Sequence, residues 1–187
     1  MPHMRTAVIS RRFAIGVYPI TVSEFGYFCE DTGYKKSRRD DVRHRFPIVN
    51  VTWHDAQAYL NWLSRKTQQE YRLPTEVEWD YAGSCGAETV RVRNTESRGN
   101  IRAQDMQLQY KSAVDQMQRN EWGLYGMLED FYEWCEDRAA ENPARNRVAR
   151  GRGRYETYPT ICSAFRAAFA PNSQFGDLGF RCVRYVD

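Results

Sequence analysis

The chain has 187 residues, of which 42% are hydrophobic and 27% charged, and its formal net charge is +3. This length suits one ordinary domain with a substantial core and is too short for two, so we predict a single domain over residues 1–187. The balanced charge excludes a fibrous repeat and a disordered tail. No apolar run reaches the roughly 18 to 20 residues that cross a bilayer, and residues 1–12 lack the apolar centre of a signal peptide.

The five cysteines show no CxxC spacing and no accompanying pair of histidines, so the sequence does not predict a zinc site. An odd number of cysteines without an export signal favours reduced, mostly buried thiols, with one disulfide between distant segments as the alternative. The cysteines are Cys29, Cys85, Cys135, Cys162 and Cys182.

The first elements in the chain are a short strand and a helix. Residues 12–20 are typical of a strand that a proline closes. Thr21 and Glu24 have capping-box spacing, and apolar residues recur at helical intervals as far as Gly33, so we predict a helix between Thr21 and Gly33. The strongly charged residues 35–45 are expected to form a solvated loop, with an anion-binding or nucleic-acid patch as the alternative.

Two more helix starts follow in the first half of the chain. Thr52 with Asp55, and Thr75 with Glu78, repeat the capping-box spacing, and the last of these helices should end at Gly83. From residue 84 onwards the periodicity is poor, and only short strands are predicted, around Val148–Arg150 and Phe180–Tyr185. Four tryptophans at the apolar phase of these blocks are expected to be buried: Trp53, Trp62, Trp79 and Trp134.

Several motifs, in a fixed order, carry a resemblance to one family. Residues 47–83 read PIVNVTWHDAQAYLNWLSRKTQQEYRLPTEVEWDYAG, and residues 120–127 and 132–135 read NEWGLYGM and YEWC. With Arg150-Gly151 and the LGFRC of residues 178–182, they resemble the signatures of the formylglycine-generating-enzyme (sulfatase-modifying factor) family. The resemblance covers about residues 12–185 and implies an α+β, C-type-lectin-like fold with two main helices, short twisted antiparallel strands and much irregular structure.

The departures from the family pattern bear on activity. The oxygen-dependent enzymes of this family bind copper through two cysteines that lie five residues apart after the "RGGS" motif, and cuprous copper needs such soft ligands. In this sequence those two positions fall on Gly153 and Tyr158. The iron-dependent sulfoxide synthases that share the domain take their histidines from a further domain, and the three histidines here do not form a ligand-spaced set: His3, His44 and His54.

Calcium is the cofactor that the resemblance leaves open, because family members often carry structural calcium near the "GLYDM" loop. One implied site uses the Glu133 carboxylate with the Glu129 and Phe131 carbonyls, and has Gly126 where an amide side chain would donate oxygen. A second implied site uses Asn100 with the carbonyl of Ile101. The alternative is that Glu133 and Asn100 only form hydrogen bonds with loop backbone.

The C-terminal segment also resembles that of the variable proteins made by diversity-generating retroelements. Residues 163–181 read SAFRAAFAPNSQFGDLGFR and fit the frame in which those proteins place their diversified positions. Aromatic and small polar residues on a rigid scaffold are also typical of an antibody paratope. The implied ligand-binding residues are Tyr155, Thr157, Tyr158, Ser163, Phe165, Ala167, Phe169, Ser173, Phe175 and Asp177. The alternative for each phenylalanine is ordinary burial in the core.

The sequence therefore favours a non-catalytic protein that binds a protein or another macromolecule through its C-terminal segment, without a membrane partner, in the cytoplasm or on a virion. One alternative is an oxygen-dependent metalloenzyme of the formylglycine-generating class. Another is a regulatory module of fixed sequence that binds nucleic acid through six arginines: Arg138, Arg145, Arg147, Arg150, Arg152 and Arg154.

Overall fold

The computed structural model describes residues 8–34, 44–86, 113–127, 131–140, 142–151 and 166–187. The helices in these residues are α1 (Val22–Thr32), α2 (Trp53–Thr67) and α3 (Glu76–Gly83), with one 3-10 turn at Val114–Gln116. The strands are β1 (Phe13–Ile15), β2 (Tyr71–Arg72), β3 (Tyr132–Arg138), β4 (Arg147–Gly151), β5 (Arg166–Phe169), β6 (Leu178–Gly179) and β7 (Val183–Tyr185). None of the helices in the described residues combines the length and apolar composition needed to cross a membrane.

Capping boxes start all three helices, as the sequence predicts. In each helix a threonine hydroxyl accepts the backbone N–H of the third helical residue, whose own side chain accepts the threonine N–H; the threonines are Thr21, Thr52 and Thr75. Helix α1 ends at Gly33, which adopts the left-handed conformation with φ of 67°. Helix α2 ends in the same conformation at Gln68, where the sequence contains no glycine to indicate the end.

The strands form two sheets. A three-stranded sheet has the order β1-β7-β2, so it joins the two ends of the described chain. A four-stranded sheet has the order β5-β4-β3-β6, in which β3 and β6 run parallel and the other pairs are antiparallel. The predicted strand over 12–20 is shorter, since it ends before Gly16, and the strand predicted over Phe180–Tyr185 begins at Val183.

Strands β3 and β5 are not predicted by the sequence, and the reason lies in their surroundings. The first four residues of β3 are all buried, because both faces of the four-stranded sheet are covered. Helices α1 and α2 pack on one face through Phe25, Leu60 and Trp134, and α3 packs on the other through Trp79 and Val148. A strand that is buried on both faces does not alternate apolar and polar residues, so its sequence lacks the two-residue period that predicts a strand.

The tryptophan prediction is correct at three positions and wrong at one. Trp62, Trp79 and Trp134 are buried, with at most 6% of their surface exposed. Trp53, in the first turn of α2, is only half-buried. The Arg147 guanidinium lies over its ring, at 3.9 Å from the ring centroid. Its indole N–H donates to the carbonyl of Cys135 at 3.0 Å.

Candidate binding surface

The C-terminal segment leaves the four-stranded sheet after β5 and returns to it at β6. Five of the predicted ligand-binding residues lie in this described part: Ala167, Phe169, Ser173, Phe175 and Asp177. The other five lie outside the described residues: Tyr155, Thr157, Tyr158, Ser163 and Phe165. The described part of the predicted surface is therefore strand β5 and the loop over residues 170–177, which we call the C-terminal loop.

Main-chain hydrogen bonds hold the C-terminal loop on the scaffold. Carbonyl oxygens of the loop accept N–H groups from the start of α2 and from β3, and an internal bond closes its first turn. The pairs are Trp53 to Pro171 at 3.0 Å, Asn50 to Phe175 at 3.0 Å, Tyr132 to Asp177 at 2.7 Å and Ser173 to Ala170 at 2.8 Å. Because backbone atoms supply these acceptors, these four hydrogen bonds do not require particular side chains in the loop.

The aromatic side chains of this surface run from the core to the solvent. Phe169 is half-buried and packs edge-on against Tyr132 and Trp134, at centroid distances of 5.6 and 6.1 Å. Phe175 contacts Phe169 at 4.9 Å and is 42% exposed. Phe169 is therefore partly a core residue, whereas Phe175 projects from the surface.

Arg147 and Trp53 extend this surface along the sheet, and sequence reasoning did not assign them to it. Arg147 lies directly opposite Phe169 in the β4–β5 ladder, with its guanidinium on the Trp53 ring. Its Nη1 donates to the Glu136 carbonyl at 3.0 Å, which fixes the group in place. Residues 53 and 147 are far apart in the chain, so no local pattern indicates that they meet.

Of the four arginines of the nucleic-acid alternative that the structure describes, one is buried and does not lie on the surface. Arg150 is 3% exposed and contacts the carboxylates of Asp80 and Glu76. Arg138 and Arg145 are exposed, while Arg152 and Arg154 lie outside the described residues. Burial thus removes Arg150 from any group that could contact phosphates.

The predicted calcium ligand Glu133 already has a cationic partner. Both oxygens of its fully buried carboxylate accept N–H groups from Arg181, at 2.6 and 2.7 Å, and one also accepts the Trp79 indole N–H at 2.6 Å. Arg181 donates in addition to the carbonyls of Gly16 and Tyr125. A guanidinium therefore balances this carboxylate and holds its oxygens.

The calcium prediction also involves Gly126, in the first implied site, and Asn100, in the second. At Gly126, a Cβ atom would lie 3.0 Å from the Met117 side chain, so the space of the missing amide is filled by an apolar group. The Met117 side chain at Gly126 and the Arg181 guanidinium on Glu133 occupy positions where a calcium site would need oxygen ligands and a free carboxylate, so these described residues do not fit calcium. No group of three or more metal-ligating side chains occurs among the residues that the structure describes. Asn100 and Glu129 lie outside the described residues, and the Asn100 site stays a prediction.

Two of the described thiols, those of Cys135 and Cys182, are poorly suited to nucleophilic or metal chemistry. Cys135 is buried beside β4, and burial raises the pKa of its thiol well above the usual value. Burial also raises the pKa of Cys182 to about 11. Both are therefore protonated at neutral pH, whereas the thiolate is the reactive and metal-binding form. Cys162 lies outside the described residues.

Sequence comparison places these features in a family. The family described as "Sulfatase-modifying factor enzyme 1-like domain" matches residues 1–186. The formylglycine-generating enzyme of Streptomyces coelicolor is 31% identical over 185 residues, covering 80% of this chain and 56% of that protein. Serine/threonine-protein kinase pkn1 of Chlamydia pneumoniae is 27% identical over 221 residues, covering 96% of this chain and 34% of that protein. The chain thus spans between a third and somewhat over half of the length of these relatives.

Comparison with solved structures confirms the predicted fold class. PvdO from Pseudomonas aeruginosa superposes with a TM-score of 0.75 at 25% identity, covering 93% of this chain and 80% of its own. Variable protein 1 of Treponema denticola superposes with a TM-score of 0.66 at 20% identity, covering 93% and 84%. The second likeness concerns the fold alone.

Proposed function

Since the chain belongs to the sulfatase-modifying factor family, in which one scaffold carries different functions, we propose that it is a non-catalytic ligand-binding protein. Its C-terminal segment forms the binding surface and recognises a protein or another macromolecule. In this proposal the chain is a variable protein of the diversity-generating-retroelement type. The predicted positions in residues 155–165 belong to the same proposed binding segment as Phe169 and Phe175.

The proposal rests on the way in which the C-terminal loop is held, because its hydrogen bonds to the scaffold use backbone atoms and not side chains. Scaffold N–H groups hold the loop through its carbonyl oxygens, and Phe175 projects from it. A surface built in this way accepts new side chains without a change of backbone. It also combines an aromatic anchor with the rigid Arg147–Trp53 pair, and aromatic residues and arginine are enriched among the residues that dominate binding energy.

The competing function is formylglycine generation, which the 31% identity to the Streptomyces coelicolor enzyme favours. Gly153 and Tyr158 stand where that chemistry needs two cysteines, so we expect no formylglycine product from a sulfatase-motif peptide with copper and oxygen supplied. Tight stoichiometric copper binding would contradict this expectation. If a Cys162→Ser variant retained that binding, a copper site elsewhere in the chain would be established.

The binding proposal is tested with a combinatorial library at Tyr155, Tyr158, Phe165 and Phe175. We expect most variants to unfold cooperatively with changes within about 0.5 kcal/mol, as is usual for surface substitutions. We expect the same variants to differ in ligand choice, because an aromatic anchor often contributes roughly 2 kcal/mol or more to binding. A matched library at buried positions, Phe25 and Trp134, serves as control and should fail to fold.

Two outcomes would remove the binding proposal. General loss of folding in this library would indicate that these residues belong to the core. Folded variants that all bind one ligand with unchanged affinity would show that the binding surface lies elsewhere. The retroelement part has its own test in the flanking DNA, where a nearly identical template repeat and a reverse-transcriptase reading frame are expected.

A further inference from the structure

Arg147 carries a guanidinium group that the scaffold holds in place without an ion pair. Its central carbon lies 3.9 Å from the centroid of the Trp53 ring, and its Nη1 donates to the Glu136 carbonyl at 3.0 Å. The residue is half-buried. Among the residues that the structure describes, Nε and Nη2 of Arg147 have no acceptor, yet neither atom is buried. These two atoms form an edge that is open to water, which we call the open edge.

An edge of this kind can bind a carboxylate through two parallel hydrogen bonds. The same molecule contains an occupied example, because Nε and Nη2 of Arg181 donate to the two oxygens of Glu133 at 2.6 and 2.7 Å. At Arg147 the corresponding donors are left for an acceptor outside the described residues. The Trp53 ring already restricts the Arg147 side chain, so a carboxylate that binds there orders it little further.

The open edge belongs to the aromatic part of the candidate binding surface. Arg147 is the partner of Phe169 in the β4–β5 ladder, and directly opposite residues share one face of a sheet. Phe169 in turn contacts Phe175, whose ring is 42% exposed. The described surface therefore combines an exposed aromatic anchor with a fixed, directional donor pair.

We propose that Arg147 determines the specificity of the binding surface by binding the carboxylate of an aspartate or glutamate from a protein partner, next to an apolar group of that partner on Phe175. The inference rests on the proposed function and names the chemistry of its partner. Arginine and aromatic residues dominate the binding energy of many protein interfaces, and close charge pairs there couple strongly.

A phosphate could use the same edge, but the surroundings favour a single carboxylate over a nucleic acid. A nucleic acid presents a row of phosphates and binds through several cations. Arg150, in the same strand, is buried and paired with carboxylates of α3. The Glu136 carboxylate, which accepts Gln57 Nε2 at 2.7 Å, adds a negative charge on the neighbouring strand. An extended polyanion would meet that charge, whereas one acidic side chain at the open edge need not.

Arg138 provides a matched control, because it is the partner of Arg147 in the β3–β4 ladder. It is exposed and donates to the Pro143 carbonyl at 3.2 Å. Within the described part of the chain it has neither an ion pair nor an aromatic ring beside it. Arg138→Gln therefore removes the same charge from the same region without removing a fixed guanidinium.

The test starts with a displayed library of random peptides that is selected on the full chain. We expect the selected peptides to be enriched in aspartate or glutamate beside an apolar residue, and to bind Phe175→Ala more weakly. The strongest binder is then synthesised with its acidic residue and with the matching amide. The Kd of both peptides is measured for the wild type, Arg147→Gln, Arg147→Lys and Arg138→Gln.

We expect Arg147→Gln to weaken binding of the acidic peptide at least about tenfold and binding of the amide peptide much less, because both changes remove the same interaction. Arg147→Lys keeps the charge but not the paired N–H groups, so it should also weaken the acidic peptide. Arg138→Gln should weaken it a few-fold at most, as is usual for an exposed charge.

Two results would overturn the role of Arg147. One is an equal loss of affinity for the acidic and the amide peptide in Arg147→Gln. The other is an equal effect of Arg147→Gln and Arg138→Gln on the acidic peptide. If Arg147→Gln does not fold, Arg147→Lys decides: weaker binding of the acidic peptide alone supports the inference, and unchanged binding overturns it. Failure of both variants to fold would also overturn it, because Arg147 would then be a structural residue.

Failure of the inference and failure of the proposed function give different results. Selected peptides that depend on Phe175 but contain no acidic residue would overturn the inference alone. Peptides that bind Phe175→Ala unchanged would contradict the proposed function. If no peptide is enriched, a single-stranded oligonucleotide is the second probe. Oligonucleotide binding that Arg147→Gln abolishes would assign the open edge to phosphate and overturn the acidic protein partner, and absence of binding to either probe would contradict the proposed function.

Discussion

Two glycines lie where a neighbouring main chain leaves no room for a side chain. A Cβ atom on Gly179 would be 2.2 Å from the Ile48 carbonyl oxygen, and one on Gly151 would be 2.1 Å from that of Phe131. Gly151 also has φ of 111°, which other residues rarely adopt. Their steric role explains why glycine is needed in the "RG" and "GFR" motifs, independently of any chemistry.

Gly179→Ala should therefore destabilise the fold. The added methyl group meets backbone atoms that cannot move aside, and overpacking of this kind typically costs about 1 to 3 kcal/mol. Gly176→Ala is the matched control, since it lies three residues away and a Cβ there meets nothing within 4 Å. Urea unfolding of both variants is the measurement, and equal stabilities would show that β6 does not approach Ile48 as described.

Trp79→Ala should cost on the order of 3 to 5 kcal/mol in the free energy of unfolding. The change opens a cavity under α3 and also removes the hydrogen bond from the indole to the Glu133 carboxylate. Trp122→Ala is the control, because that ring is 50% exposed and contacts the Tyr81 ring. A melting temperature unchanged by Trp79→Ala would contradict the packing of α3 on the sheet.

At the scale of elements, the helices could be predicted and several strands could not. Each helix start depends on residues three apart, such as Thr75 and Glu78, so a short window of sequence contains the signal. Strand β5 reads RAAF, and all four of its residues are half-buried, so neither alternation nor a strong propensity marks it. Its pairing with β4 comes from tertiary structure.

The capping threonines give a prediction at this scale. Thr52→Ala should lower stability by about 1 kcal/mol, because the N–H of Asp55 loses its acceptor at the start of α2. Thr52→Ser keeps the hydroxyl and should recover most of that loss. Thr67→Ala, in the exposed last turn of the same helix, should change little. Chemical denaturation of the three variants compares them, and a neutral Thr52→Ala would argue against the cap.

At the scale of the whole molecule, the candidate surface could be predicted only in outline. The resemblance of residues 163–181 to the C-terminal segment of variable proteins predicts that Phe169 and Phe175 belong to one binding segment. In the structure the two rings are in contact. The Arg147–Trp53 pair and the Glu133–Arg181 pair join residues separated by tens of positions, so only the packed fold reveals them. The second pair gives the Glu133 carboxylate a buried guanidinium as its partner.

The same long-range packing makes stability depend on pH through Asp80. Burial raises the pKa of this carboxyl to about 6, against the attraction of Arg150 and with a further contribution from the nearby Glu76 charge. The folded state therefore binds the proton more tightly than the unfolded chain, where the pKa is near 3.8. By linkage, this group favours the folded state at low pH, and its contribution is lost as the pH rises through about 6.

We therefore expect the difference in unfolding free energy between the wild type and Asp80→Asn to shift in favour of the wild type as the pH falls from about 7 to 5. Only the sign is predicted, since 37% of the Asp80 side chain is exposed and solvent screens its interactions. Asp31→Asn is the control: the Trp62 hydrogen bond lowers the pKa of Asp31 below 3.8, so its difference should stay flat over this range. Urea denaturation at three pH values measures both differences. A flat or inverted trend for Asp80→Asn would show that Arg150 outweighs burial at this site.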